Sequence, residues 1–160
     1  MTEIFHAHAD DDIPLVRSLF LEYAASLGFD LCFQGFEQEV ADLPGAYAPP
    51  TGRLLLARDG QALAGCVALR RIGQDVCEMK RLYVRPAYRG RGLGRILVAR
   101  LIQDARQIGY ARMYLDTLES MVAAIALYTS FGFRECQPYS YHPVPGTRCF
   151  DLELRHSDQT

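Results

Sequence analysis

The stretch YVRPAYRGRGLGRILVARLI, residues 83–102, sets three glycines and three arginines into the seven residues 89–95, directly before an apolar helical pattern. A helix start exposes backbone N–H groups without intrahelical acceptors and carries the positive end of the helix dipole. Glycines let that backbone approach a ligand closely, so a guest with negative charge is implied. The dipole contributes only about 0.3–1 kcal/mol at an exposed site. Arg89, Arg91 and Arg95 would each add a charge-assisted hydrogen bond of roughly 1.5–3 kcal/mol. Such a set suits a polyphosphate better than a single carboxylate.

Upstream of the glycines, RLLLAR (53–58), ALAGCVALRRI (62–72) and VCEMKRLYV (76–84) are three apolar runs. The turns between them hold Asp59-Gly60 and Gly73, which predicts an antiparallel meander. Downstream, Leu93, Ile96, Leu97, Leu101 and Ile108 share one side of a helix ending near Gly109, and RMYLDTL (112–118) reads as a strand. A second helix carries Ala124, Ile125, Leu127, Tyr128 and Phe131 and closes at Gly132. FRECQ (133–137) opens a strand, and the alternation of TRCFDLEL (147–154) suits a last, antiparallel one. Before the meander, residues 3–8 read as a strand and Asp10 to Asp12 as a cap with Pro14 in the first turn. The helix they open has Val16, Leu19, Phe20, Tyr23 and Leu27 on one stripe and stops at Gly28. A short helix follows at 36–43, and PGAYAPPTG (44–52) is a loop by composition. The order β-α-α-β-β-β-α-β-α-β-β predicts an α/β fold with a mixed, mostly antiparallel central sheet flanked by helices.

A chain of 160 residues fits one domain, 1–160, and buries roughly 68–70% of its unfolded surface. Lys plus Arg is 17 against 19 for Asp plus Glu, so the net charge of −2 offers no general attraction to nucleic acid or acidic membranes. The beginning MTEIFHAHADDD is acidic, without a basic n-region or an apolar run of signal length, and a cytoplasmic protein is expected. Five cysteines without CxxC or Cys/His spacing read as buried reduced thiols, and no metal is expected.

LYVRPAYRGRGLGRILV (82–98) resembles the acyl-CoA-binding signature of the GNAT superfamily of acetyl-CoA-dependent N-acetyltransferases, Arg/Gln-x-x-Gly-x-Gly/Ala after a strand ending in Val-x-Pro. Arg89-Gly90-Arg91-Gly92-Leu93-Gly94 fills the pattern, with Val84 and Pro86 in place. Residues 124–133 resemble the family's second motif, Ala-x-x-Leu-Tyr-x-x-x-Gly-Phe. Two motifs in order, separated by one helix and one strand, are far more specific than either glycine pattern alone. The resemblance implies acetyl-CoA as acyl donor, its diphosphate on the backbone of Arg89 to Gly94 with Arg95 nearby. It also implies that the pantetheine arm pairs with the main chain of Leu82, Tyr83 and Val84, where two strands splay. A dinucleotide site is the competing reading, but the glycines run GxGxG and follow a meander rather than opening a βαβ unit. No P-loop GxxxxGK[ST] is present.

Acyl transfer to an amine needs a neutral amine, a polarised thioester carbonyl and a proton for the departing thiolate. The resemblance gives Tyr128 the last role and Glu78 the removal of the amine's proton. Lys80 and Arg81, beside Glu78 in sequence, weaken it as a base if they lie close, and a strand-surface ion pair is the other reading. Main-chain N–H groups around Leu82 are expected to face the oxyanion. The second motif often begins with Asn seven residues before its Tyr; here that position is Met121, with Ser120 or Glu119 to replace the contact. An acetyl-CoA-binding regulatory module without catalysis is a second functional reading, and retention of Tyr128 and Glu78 favours the enzyme. The acceptor pocket would be built from residues 28–35 and 139–146, where Phe29, Phe33, Tyr139, Tyr141 and His142 suit a partly apolar primary amine of a small molecule or peptide. Asp30 would pair its ammonium. The resemblance also implies that a homodimer is an option, but no periodic apolar surface in the sequence fixes one.

Overall fold

The computed structural model describes residues 2–7, 10–28, 31, 35–139 and 144–155. Strand β1 (Thr2–His6) leads to helices α1 (Ile13–Leu27) and α2 (Phe36–Ala41), then to the meander β2 (Arg53–Asp59), β3 (Ala62–Arg71) and β4 (Val76–Val84). Helix α3 (Leu93–Ile108), β5 (Arg112–Leu118), α4 (Val122–Ser130), β6 (Arg134–Cys136) and β7 (Thr147–Glu153) complete the predicted order. Two local expectations change. Asp12 is the N-cap of α1, but at φ −83°, ψ −24° it is already helical and makes no side-chain capping bond. A cap usually needs extended backbone to aim its oxygen at the free N–H groups. The loop 44–52 contains a 3-10 turn at Gly45–Tyr47, which drives Tyr47 into the core at 2% exposure.

The seven strands form one sheet in the order β1-β2-β3-β4-β5-β7-β6. All neighbours are antiparallel except β4 and β5, whose parallel pairing follows from the crossover through α3. One face packs on α3 and α4: Val67, Leu69, Cys77 and Met79 meet Leu97, Val98 and Leu101. The other face packs on α1 and α2 through Leu54, Leu56, Cys66 and Ala68 against Val16, Leu19, Phe20 and Phe36. Burial of β3 on both faces explains its continuous apolar run.

Two irregularities in β4 shape the centre of the sheet. Cys66 pairs with Tyr83 while Ala68 pairs with Lys80, so residues 81 and 82 oppose the single residue 67. At this bulge Arg81 has φ 63°, the only positive φ outside glycine among the described residues. Before it Cys77 and Met79 face α3; after it Leu82 and Val84 do, and Tyr83 turns toward α1. Second, β4 pairs with β5 only from Val76 opposite Arg112 to Glu78 opposite Tyr114. Beyond that point residues 79–84 and 115–118 diverge and leave a wedge-shaped cleft between the two central strands.

Candidate active site

The chain leaves β4 through residues 85–92 and enters α3 at Leu93 with Gly92 as N-cap, φ 77°. Gly90 has φ 80°, and a Cβ at either glycine would meet nothing within 4 Å. Left-handed backbone bordered by open space explains both glycines: the conformation excludes most side chains, and the main chain stays accessible. Helix geometry leaves the N–H groups of Leu93, Gly94 and Arg95 without intrahelical acceptors. Gly94 lies beside α4, its Cβ position 3.5 Å from Leu127 Cδ2. The three arginines have protein partners that sequence does not reveal. Arg89 Nε donates to Val84 O at 2.8 Å, Arg91 Nη1 lies 3.9 Å from Asp59 Oδ2, and Arg95 Nη2 donates to Ser130 Oγ at 3.0 Å. All three stay on the exposed surface around the helix start, where such contacts are weak and readily exchanged for a ligand.

The cleft between β4 and β5 is lined by Lys80, Arg81, Leu82, Asp116, Met121 and Tyr128, with Tyr23, Leu27 and Leu31 closing it from the α1 side. Tyr128 is 7% exposed and packs at a 60° tilt on Phe133. Burial chiefly, with the charge of Asp116 adding to it, pushes its hydroxyl above the ordinary range, so the proton is retained at neutral pH. Glu78 is 2% exposed and does not line the cleft. Its carboxylate accepts from Arg70 Nε at 2.8 Å and from the Tyr139 hydroxyl at 2.5 Å. The ion-pair reading of Glu78 finds its cation in Arg70, the residue opposite it in β3; the carboxylate is buried, whereas the Arg70 side chain is 38% exposed. Arg81 instead turns, at the bulge, to Glu39 of α2.

The sequence profile of the Acetyltransferase (GNAT) family matches residues 17–133. An uncharacterized N-acetyltransferase of Schizosaccharomyces pombe is 43% identical over 89% of this chain and 89% of its own. The chain belongs to the GNAT acetyltransferase family. Among solved folds, a GNAT acetyltransferase from Staphylococcus aureus superposes with TM-score 0.79 at 20% identity, over 97% of this chain and all of that one. An N-acetyltransferase from Thermoplasma acidophilum in complex with coenzyme A superposes with TM-score 0.72 at 14% identity, covering 96% and 99%. This GNAT chain is therefore an acyltransferase, with the mixed, mostly antiparallel sheet expected from its sequence. No helix of the described residues is long and apolar enough to cross a membrane.

On the α1 and α2 side of the sheet in this GNAT fold, Arg81 donates from Nε to Glu39 Oε2 at 2.9 Å and from Nη2 to Glu39 Oε1 at 2.8 Å. Its guanidinium also lies over the rings of Phe36 and Tyr23. Burial works against the Glu39 charge, but the hydrogen bonds and charge of Arg81 outweigh it and hold that carboxyl below its ordinary range. A second bidentate pair, Arg85 with Glu22, ties α1 to the end of β4. Tyr139 packs at a 40° tilt on Tyr114 with ring centroids 4.9 Å apart, and its hydroxyl reaches Glu78. Phe29, Asp30, Phe33, Tyr141 and His142 lie outside the described residues. Leu82 lines the cleft, but the Tyr83 side chain is buried toward α1 with its hydroxyl on Glu22 Oε1, and Val84 O is taken by Arg89. Ser120 is exposed in the turn before α4 and does not line the cleft; Met121 does, and its sulfur accepts from Thr117 Oγ1 at 3.4 Å. Sequence reading missed Lys80 and Asp116 as lining residues. Period-two alternation puts Lys80 on the face of Glu78, but the bend that opens the cleft has no local signature.

Proposed function

We propose that this chain transfers the acetyl group of acetyl-CoA to a primary amine by direct attack. The observation that carries the reading is the opening of β4 from β5 beyond Glu78, with Tyr128 on its wall. The residues present fit the coenzyme. Gly90 and Gly92 leave accessible left-handed backbone, which a diphosphate would meet at the free N–H groups of Leu93 to Arg95, while unpaired strand edges along 79–84 offer an amide-bearing arm a main-chain partner. When bound, acetyl-CoA supplies an acetyl thioester as the electrophile.

The remaining roles fall to the chain. Main-chain N–H groups around Leu82 face developing charge on a carbonyl oxygen, an arrangement that costs no reorganisation during reaction. Tyr128 holds its proton at neutral pH and donates it from its hydroxyl to a departing sulfur. Glu78 takes the amine's proton through a solvent bridge, since it stands outside the cleft wall. Its two donors, Arg70 and Tyr139, keep the carboxylate oriented. Leu27, Leu31 and Met121 give the cleft apolar walls, and Asp116 offers the negative charge an incoming ammonium requires. A partly apolar primary amine, on a small molecule or at the end of a peptide, fits that lining.

Calorimetric titration of the purified protein with acetyl-CoA and, separately, with NADPH tests the donor. Binding of acetyl-CoA alone is expected and leads to a screen of amines by thiol release. Binding of NADPH without acetyl-CoA would reject the proposal and favour a dinucleotide site.

A further inference from the structure

Strands β6 and β7 pair antiparallel with Arg134 opposite Asp151, Glu135 opposite Phe150 and Cys136 opposite Cys149. Directly opposed residues in such a pair have Cα atoms about 4.5–5.5 Å apart and send their side chains to the same face. A disulfide bridges Cα separations of about 4.4–6.8 Å, so this register already meets its main requirement. Both thiols are free; Cys149 is buried and Cys136 half-buried. Phe150 and Leu152 of β7 point into the α3 core, which turns Cys149 to the opposite, acceptor face beside its β5 partner Asp116. The main chain of Tyr139 hydrogen-bonds the Cys149 sulfur, and Cys136 lies within electrostatic reach of Cys149.

We propose that Cys136 and Cys149 are a dithiol modification site that closes to an intramolecular disulfide by exchange with a low-molecular-weight disulfide such as oxidised glutathione. Cys136, the more exposed thiol, loses its proton to solvent and attacks one sulfur of the small disulfide. A mixed disulfide forms and one small thiol leaves with a proton. Cys149, deprotonated in turn, attacks the Cys136 sulfur; the protein disulfide forms and the second small thiol departs. Two protein thiols are oxidised and one small disulfide is reduced to two thiols. The bond joins the ends of residues 137–148, the segment that includes Tyr139 and through it touches Glu78 and Tyr114. Oxidation therefore reaches the acceptor side of the cleft without touching the glycine-rich helix start, and the chemistry of closure does not depend on the transferase reading.

The whole reduced chain is incubated with oxidised glutathione at mildly alkaline pH, because burial chiefly holds both thiols above their ordinary range. Remaining thiols are alkylated in denaturant, and the protein is digested with trypsin without reduction. The expected result is a loss of two hydrogens from the intact mass and a link between peptides 135–148 and 149–155 that reduction dissolves. Cys136→Ser abolishes the link. The oxidised protein melts roughly 6–12 °C higher, since the bond closes a loop of about fifteen residues. Recovery of the two peptides unlinked from the wild-type chain, each alkylated or carrying glutathione, overturns the proposal. A lower melting temperature of the linked protein also overturns it, because a pair already in register gains stability on closure.

Discussion

Replacing Glu39 with glutamine leaves the Arg81 guanidinium, whose side chain is 2% exposed, without its carboxylate. Removing one partner of a buried ion pair costs about 3–5 kcal/mol, mostly as the desolvation of the charge left behind. Glutamine retains one acceptor oxygen for Arg81, so the lower part of that range is expected. For a chain of this length each kcal/mol moves the melting temperature by roughly 2–4 °C, which gives a drop of about 6–12 °C at neutral pH. The effect depends on pH with a definite sign. Glu39 is held below its ordinary value in the fold, so the pair's contribution is present above the carboxyl's unfolded value, near pH 4.3, and fades as pH falls through the folded one. Calorimetric melting of both proteins from pH 7 to pH 3 should show the two curves converging at the acid end. The double variant Glu39→Leu with Arg81→Met, which removes both charges, should lie closer to wild type than Glu39→Gln does. A drop under about 1 °C for Glu39→Gln, or a difference independent of pH, would refute the claim that this pair is buried and ionic.

Three further outcomes concern the site and the sheet. Tyr128→Phe should lower turnover by about 10²–10⁴ with acetyl-CoA affinity preserved in calorimetry, whereas a tyrosine that only packs on Phe133 would leave turnover unchanged. Glu78→Gln should remove the acidic limb of the kcat/KM profile; an unchanged limb takes Glu78 out of proton transfer and leaves it as the partner of Arg70 and Tyr139. Gly65→Ala puts a Cβ 2.5 Å from the carbonyl oxygen of Tyr83, a main-chain atom that has no room to move within the sheet. It should cost about 1–3 kcal/mol or more in denaturant unfolding, and a neutral result would mean that β3 and β4 are further apart here.

The elements and their order were legible because each carried a regular period or a punctuating glycine. β4 and β5 begin and end where their apolar runs do, and Gly28 and Gly109 close α1 and α3 in the left-handed geometry that only glycine adopts cheaply. Tyr128 could be named because it lies inside a motif whose helix the sequence also predicts. The surroundings of Glu78 could not. Its cation, Arg70, is eight residues away and becomes a neighbour only through the β3–β4 register, while Lys80 stays within electrostatic reach of Glu78 and Arg81 turns to Glu39. Tyr47 was equally hidden, since a loop rich in proline and glycine gives no period from which an inward-facing aromatic can be read.

The bulge at Arg81 connects the cleft to α2. A regular strand would place residues 78, 80 and 82 on the α1 face and send Arg81 into the apolar side under α3. One extra residue in β4 reverses the alternation, so Arg81 reaches Glu39 while Leu82 lies on the cleft wall. Arginine at φ 63° is unfavourable by about 1–2 kcal/mol, and the bidentate pair with Glu39 together with the contacts to Tyr23 and Phe36 offsets it. The same bulge increases local twist just where β4 loses β5 as a neighbour. Opening of the cleft and anchoring of α2 are thus one structural event. Its stability rests on a pair of residues, Glu39 and Arg81, that belong to neither glycine motif.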